Sequence, residues 1–248
     1  MRKAMTVCMT GSVHGTGVRA PECSPMTNSE LCMRWILFTV KDRTLMIICL
    51  VSDTHQLESE IDIPPCDLLI HCGDWSFFGK SEKAMDAFLA WLAEQPARNR
   101  VLTCGNHEYP VEADPDKWRR RLSNATLLLN ESITIAGVKV WATPVTPLVG
   151  GAFGMGSEAK REKLFSKIPG DVDILISHGP PQGILDGGAG CPALRRTVIR
   201  LKPRLHCFGH VHSAYGSQPT KNTLFVNAAI LDEDGAPSRK PILLTISK

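Results

Sequence analysis

Short apolar runs that recur along the chain and end in polar side chains are the feature that most restricts the fold. Each run is about four to seven residues long and rich in β-branched and aliphatic residues, which is typical of buried strands. The runs are Leu45–Val51, Asp67–Cys72, Arg100–Cys104, Val138–Ala142, Asp173–Ser177, Leu205–Phe208 and Leu224–Asn227. The chain is therefore predicted to be built on buried β-strands.

Segments with helical periodicity lie between several of these strands. They are Ser81–Gln95, Pro115–Leu122, Ser157–Ile168 and Pro192–Leu201, and Ser81 is a suitable N-cap residue. Residues 126–143, with Gly137 as a turn, instead predict hairpin or meander strands. This order of elements predicts an α/β fold with some antiparallel additions.

The formal net charge of +3 comes entirely from residues 1–45, so the rest of the chain is formally neutral. Residues 1–44 show no sustained helical or strand period, and Met46 is a plausible alternative start. We predict that residues 1–44 are a disordered leader or a mis-assigned start and that residues 45–248 form a single domain. A neutral body provides no long-range attraction for duplex nucleic acid, which is not expected as a partner.

Targeting signals and cysteine spacing point to a cytoplasmic protein. No apolar run reaches the roughly 18 residues that span a bilayer, and the N-terminus lacks the pattern of a signal peptide. The 9 cysteines are scattered without a CxxC pair, so we expect buried, reduced thiols. Nothing in the sequence predicts an oligomeric state.

Side chains of the kinds that bind metals follow five of the predicted strands. The seven candidate ligands are Asp53 and His55, then Asp74, then Asn106, then His178, and finally His210 with His212, and His107 lies beside Asn106. Any one alone would be explained as a turn or cap residue, but five sets at the carboxyl ends of strands predict a metal site. Carboxylates and imidazoles without thiolates suit Mn²⁺, Fe, Zn²⁺ or Mg²⁺. Because seven candidate ligands are too many for one ion, we predict two, with Asp74 as the bridging carboxylate.

The order Asp-x-His, Gly-Asp, Gly-Asn-His-Glu, a later His and Gly-His-x-His resembles that of the calcineurin-like metallophosphoesterase superfamily. The motifs span residues 53–212. Residues 67–108, 177–183 and 203–216 more narrowly resemble the metallophosphoesterase-domain-containing proteins of the brain-protein-239 type. The resemblance implies a four-layer αββα sandwich of two mixed β-sheets flanked by helices. It also implies two bound divalent metal ions, with Mn²⁺ as the expected metal and Fe, Zn, Co or Mg as alternatives.

The same resemblance assigns a role to each motif residue. Asp53, His55 and His212 would bind one metal, Asn106, His178 and His210 the other, and Asp74 would bridge them. His107 would act as the general acid that protonates the leaving group, and Asn106 would also contact a phosphoryl oxygen. The nucleophile would be a hydroxide between the two ions.

The expected reaction is hydrolysis of a small phosphodiester, such as a cyclic nucleotide. Related protein phosphatases carry Asp and Arg soon after Gly-Asp, whereas Trp75, Ser76, Phe77 and Phe78 follow here. Phosphomonoesterase or protein phosphatase activity is the alternative. A catalytically silent scaffold for protein binding is a third hypothesis, which the complete ligand set disfavours. The three aromatic rings would stack on a base or pack against the neighbouring helix.

Three further groups near the motifs are interpreted as supporting residues. His71 and His206 lie inside predicted strands and are expected in the core or behind the ligands. Glu108 is expected to orient its loop. Residues 144–156, rich in Gly and Pro, predict a loop that borders the cleft.

Overall fold

The computed structural model describes residues 45–247. The predicted leader, residues 1–44, lies outside the described residues. Within the described range the strands are β1 (Leu45–Val51), β2 (Cys66–His71), β3 (Ala97–Leu102), β4 (Thr126–Leu127), β5 (Glu131–Ile135), β6 (Val138–Thr143), β7 (Ile174–Ser177), β8 (Leu205–Phe208), β9 (Gly216–Pro219), β10 (Leu224–Asn227) and β11 (Ile242–Ser247). The α-helices are α1 (Glu82–Glu94), α2 (Tyr109–Ala113), α3 (Pro115–Arg121), α4 (Glu158–Phe165) and α5 (Pro192–Leu201).

The strands form two mixed sheets. The first has the order β11-β1-β2-β3-β4, and the second has the order β5-β6-β7-β8-β10-β9. Within each sheet the central strands run parallel, while β11, β5 and β9 pair antiparallel with their neighbours. Parallel neighbours bring their carboxyl ends to the same edge, and this arrangement places the loops that follow β1, β2, β3, β7 and β8 together.

Alternation along the strands builds three apolar clusters and hence four layers. Ile48 and Leu50 point into the cluster between the sheets, where they meet residues such as Ile176. Cys49 and Val51 point to the opposite face, which α1 and α3 cover. A third cluster joins the outer face of the second sheet to α4 and α5. The predicted αββα sandwich is confirmed, and the near-continuous apolar runs arise because both faces of the central strands are covered.

Local turn and cap chemistry agrees with the sequence at two places. Ser81 caps α1, since its hydroxyl accepts a hydrogen bond from the Ala84 backbone N–H at 3.2 Å. The β5–β6 hairpin turns at Ala136 and Gly137, whose φ values of 48° and 83° give the positive-φ pair of a two-residue hairpin turn. None of the helices in the described range is long and apolar enough to cross a membrane.

Some elements differ from the sequence prediction. The hairpin or meander predicted over 126–143 is divided, because Thr126–Leu127 pairs with β3 in the first sheet and β5–β6 belongs to the second. The edge strands β9 and β11 and the short helix α2 were not predicted. Edge strands are partly exposed and therefore lack the continuous apolar signal by which the central strands were recognised.

Candidate metal centre

All seven predicted ligands meet at the carboxyl edge of the two sheets. The loops after β1 and β2 are joined by backbone hydrogen bonds from Asp53 N to the Gly73 carbonyl, 3.0 Å, and from His55 N to the Asp74 carbonyl, 3.1 Å. In the second sheet, Gly209 N donates to the carbonyl of His178 at 2.9 Å. The cleft above has a volume of about 410 Å³. Its described lining comprises His55, Leu57, Asp74, Phe77, Asn106, His107, His210, His212, Leu231 and Gly235.

The donor atoms fall into groups of the size that one metal ion needs. Asp53, His55 and His212 offer atoms that lie within 4.8 Å of one another, and so do Asp74, His178 and His210. Asn106 joins the second group, because its Oδ1 lies 3.0 Å from His178 Nε2. A third grouping, His55, Asp74 and His107, meets the same distance and centres on Asp74. Asp74 thus has donors of both sets near its carboxylate.

Three of the histidines are oriented by backbone carbonyls. The Nδ1–H groups of His55, His178 and His212 donate to the carbonyls of Ser76, Cys72 and Asp232 at 3.2, 3.1 and 3.1 Å. Since a carbonyl only accepts, Nδ1 carries a proton in each ring, and Nε2 is the nitrogen left to face a carboxylate or a metal ion. Each Nε2 then faces a carboxylate: His178 lies 3.2 Å and His55 3.9 Å from Asp74 Oδ2, and His212 lies 3.5 Å from Asp53 Oδ1. This arrangement is the one that metal-binding histidines adopt.

The backbone of the ligand loops is held in an unusual conformation. Asp53, His55, Asp74 and His210 have φ values of 56°, 44°, 53° and 69°, in the left-handed region that non-glycine residues rarely occupy. The Asp53 carboxylate helps to hold one of them, because both of its oxygens accept from His210 N, at 3.1 and 2.9 Å. Such strain persists where the surroundings fix it and is concentrated at functional sites.

Electrostatic pairing keeps the carboxylates of Asp53 and Asp74 ionised. Burial by itself would raise the pKa of Asp53, but the hydrogen bond with His212 and the charges of His178 and His55 hold it below its usual range. Burial and nearby imidazoles compete likewise at Asp74, and His178 is the main group that lowers its pKa. At His178 burial is the largest single influence and lowers the pKa, but the charge and hydrogen bond of Asp74, together with the charges of Asp53 and Glu108, outweigh it and raise the pKa to about 9.

The donor set therefore fits divalent metal ions. Two buried carboxylates and several imidazoles converge, and a cation would bind at the Nε2 atoms in place of protons. Among residues 45–247 no thiolate joins the cluster: Cys72 and Cys104 are fully buried, and burial raises their thiol pKa well above the usual range. The six cysteines in the described range are free and buried, as expected of reduced thiols.

The supporting residues have defined partners. Glu108 is fully buried and accepts the backbone N–H of Asp74, Ser76 and Gly105 at 3.1, 2.8 and 2.6 Å, which ties the Gly-Asp loop to the Gly-Asn-His-Glu loop. Burial and the neighbouring Asp74 raise its pKa to about 8. His71 and His206 are also fully buried, and burial lowers the pKa of each to about 3.

The aromatic residues after Asp74 divide between core and cleft. Trp75 is buried and stacks on Phe88 of α1, with ring centroids 4.8 Å apart and planes at 11°. Phe77 and Phe78 are 46% and 41% exposed and lie beside the ligands instead. The 144–156 loop also borders the site, since Ala152 N donates to the Asn106 carbonyl at 2.9 Å. The sequence contained no local signal for the backbone contacts of Glu108 or for the ring positions of Phe77 and Phe78.

Fold and site together define a class: an α/β protein of two sheets that gathers Asp, His and Asn donors for divalent metal at their shared edge. The family model for calcineurin-like phosphoesterases matches residues 46–214. The chain belongs to the calcineurin-like phosphoesterase family, so the resemblance found in the sequence is confirmed.

Curated relatives and solved structures agree with this assignment. A UPF0046 protein of Caenorhabditis elegans is 32% identical over 222 residues, which cover 82% of this chain and 76% of that protein. Human metallophosphoesterase domain-containing protein 1 is 30% identical over 227 residues, or 79% of this chain and 69% of the relative. Among solved structures, TT1561 of Thermus thermophilus superposes with a TM-score of 0.52 at 12% identity. It covers 83% of this chain and 99% of its own, and at this identity it supports the fold alone.

Proposed function

We propose that this protein is a phosphodiesterase that uses two divalent metal ions to hydrolyse a small phosphodiester, with cyclic nucleotides as the expected kind of substrate. The observation that carries the proposal is that all seven predicted donors gather at one site, in neighbouring groups around Asp53 and Asp74. A scaffold that had lost catalysis would be free to lose donors, whereas every predicted ligand is present and near a partner.

The ligand sets would hold one ion on Asp53, His55 and His212 and the other on Asn106, His178 and His210, with Asp74 between them. When bound, the ions supply positive charge for the phosphoryl oxygens and a water of lowered pKa as the nucleophile. Manganese is the metal that we propose first, because oxygen and imidazole donors without thiolates suit it, although Fe, Zn, Co and Mg accept similar donors.

His107 is proposed to donate a proton to the leaving oxygen from Nε2. This atom lies 3.8 Å from Asp74 Oδ2, and the side chain is 14% exposed at the cleft. Burial lowers the pKa of His107 and Asp74 partly offsets that effect, so its protonated form is a stronger acid than an exposed histidine. Asn106 lines the same cleft, where its side chain can meet a phosphoryl oxygen.

The lining of the cleft supports a diester over a monoester. Among the described lining residues there is no Lys or Arg, whereas a monoester dianion carries an additional negative charge that a cation would balance. Phe77 and Leu231 supply apolar surface suited to a second ester group. The free, buried cysteines support our further proposal of a cytoplasmic location.

The test compares hydrolysis of bis(p-nitrophenyl) phosphate and p-nitrophenyl phosphate by the full chain with Mn²⁺, Fe²⁺, Zn²⁺, Co²⁺ or Mg²⁺. We expect the diester to be preferred and Asp74→Asn to abolish turnover. Asp171→Asn is the matched control, because this exposed carboxylate pairs with Lys139 just before β7, at the end of the strand opposite the site. A strong preference for the monoester would overturn the diesterase assignment, and full activity of Asp74→Asn would overturn the assignment as an enzyme.

A further inference from the structure

A phenyl ring lies flat against the imidazole of His107. The ring centroids of Phe78 and His107 are 4.0 Å apart and the planes differ by 25°, which is a stacked pair. The adjacent Phe77 is 5.7 Å from the same imidazole and tilted by 48°. The two rings are similarly exposed, so their difference lies in how they face His107.

No hydrogen bond orients the imidazole of His107. Its Nδ1 is buried without a partner, and its Nε2 lies 3.8 Å from Asp74 Oδ2, which is too far for a hydrogen bond. His55, His178 and His212 differ, since each is held by a backbone carbonyl at Nδ1. Ring packing therefore holds His107: Phe78 lies against one face, and the ring of His55 meets it edge-on with centroids 4.5 Å apart.

Phe78 is itself held in place. Its φ of 57° is in the left-handed region, a conformation that costs a non-glycine residue free energy unless the surroundings impose it. Lys80 Nζ lies 5.4 Å from the centroid of Phe78 and 5.4 Å from that of Phe77, on which it makes cation–π contacts. The two phenyl rings also contact each other edge to face at 5.0 Å.

We propose that Phe78 is a positioning residue, whose stacked ring keeps Nε2 of His107 aimed at the leaving oxygen. The inference rests on the proposed function, because it presupposes that His107 protonates a leaving group. Without the stacked ring, an imidazole that lacks a hydrogen bond at Nδ1 would sample other χ angles. Proton donation would then fail in a larger fraction of encounters, while binding of the phosphoryl group would be unchanged.

The kinetic test uses two diesters that differ in their need for an acid. Nitrophenolate leaves bis(p-nitrophenyl) phosphate as a stable anion, whereas the more basic phenolate of diphenyl phosphate requires a proton. We expect Phe78→Ala to lower kcat for diphenyl phosphate about tenfold more than for the nitrophenyl ester, with KM unchanged. This tenfold difference is a fraction of the rate enhancement that a general acid usually provides. Phe78→Tyr should restore the wild-type ratio. Trp91→Ala, a ring deletion on α1 where the ring packs on Phe88 and does not line the cleft, should keep that ratio.

A double-mutant cycle and a spectrum complete the test. In a His107→Ala background, Phe78→Ala should produce no further change in the ratio of the two esters. In the metal-free protein, the His107 ring protons should move downfield in Phe78→Ala, because the shielding from the stacked ring is lost. The proposal would be overturned if Phe78→Ala lowered kcat equally for both esters or changed KM alone. It would also be overturned if the variant had the same effect in the His107→Ala background or left the His107 ring-proton shifts unchanged. If the wild-type protein hydrolyses neither ester, the proposed function fails, while the spectrum still tests the position of the ring.

Discussion

Gly105 is a position where one added methyl group should damage the metal centre directly, because it faces two of the predicted ligands. A Cβ at Gly105 would lie 2.3 Å from Asp74 Oδ1 and 2.5 Å from both Cε1 and Nε2 of His178. Gly105 has no positive φ, so an alanine there is not strained by its backbone and acts only through these contacts. Gly105→Ala therefore tests whether Asp74 and His178 must approach the backbone this closely.

The magnitude follows from those distances. Ordinary contacts begin at 3.4 Å, so the Asp74 carboxylate and the His178 ring must each retreat by about 1 Å. Overpacking of this kind costs about 1–3 kcal/mol of the free energy of unfolding. A 1 Å displacement within a site reduces turnover on the order of 100-fold. We expect both losses in Gly105→Ala, together with weaker binding of the second metal ion.

The assay combines urea unfolding in EDTA, Mn²⁺ stoichiometry by elemental analysis and hydrolysis of bis(p-nitrophenyl) phosphate. Gly170→Ala is the matched control, because Gly170 also has no positive φ and its added Cβ would meet nothing within 4 Å. That variant should be unchanged or more stable by about 0.4–1 kcal/mol, through the lower entropy of its unfolded chain. A Gly105→Ala protein that binds Mn²⁺ and turns over like the wild type would refute the reasoning.

Three further predictions concern stability. Glu108→Gln exchanges one acceptor oxygen for an NH₂ group and leaves at least one of three buried backbone N–H groups unpaired, which should lower the free energy of unfolding in urea by about 1–3 kcal/mol. The control Glu94→Gln, at an exposed position, should cost nothing measurable, and equal stabilities of the two variants would contradict the prediction. His206 has a pKa of about 3 when folded, below its usual 6.5, so between these pH values the unfolded chain binds more protons than the folded one. The free energy of unfolding therefore decreases as the pH is lowered below 6.5. His206→Asn should remove roughly 2 kcal/mol of the loss between pH 7 and pH 5, and an unchanged pH profile in EDTA would contradict it. Mn²⁺ should raise the melting temperature of the wild type and not of Asp74→Asn, and an equal rise in both would argue against Asp74 as a ligand.

The candidate site was predictable because its signal is local in the sequence. A buried strand must be apolar, so an Asp or His that follows it at once is placed at the carboxyl edge of the sheet. Asp53, Asp74 and His178 were all recognised in this way, and the structure brings them together as expected. The resemblance to a family then supplied what periodicity does not contain, which is the division into two sheets.

Long-range contacts were decided by the tertiary structure alone. β11 pairs with β1 from the other end of the described chain, with Ile246 opposite Met46, and its alternating exposure is weak evidence for a strand when read locally. Glu108 holds N–H groups that lie 32 and 34 residues away, at Ser76 and Asp74. Neither the β1–β11 pairing nor the hydrogen-bond partners of Glu108 can be inferred from residue spacing, because they join segments that come together only when the chain folds.

What the sequence determined by itself is the chemistry: which side chains stand at the ends of buried strands, and therefore which donors are available. What only the tertiary structure decided is geometry: the left-handed backbone at Asp74, the carbonyl behind His178 and the phenyl ring on His107. The reason is physical. Residue types in the sequence indicate which positions are buried and which stand at strand ends. The orientation of a side chain depends instead on neighbours from distant segments, which reach it only when the two sheets pack.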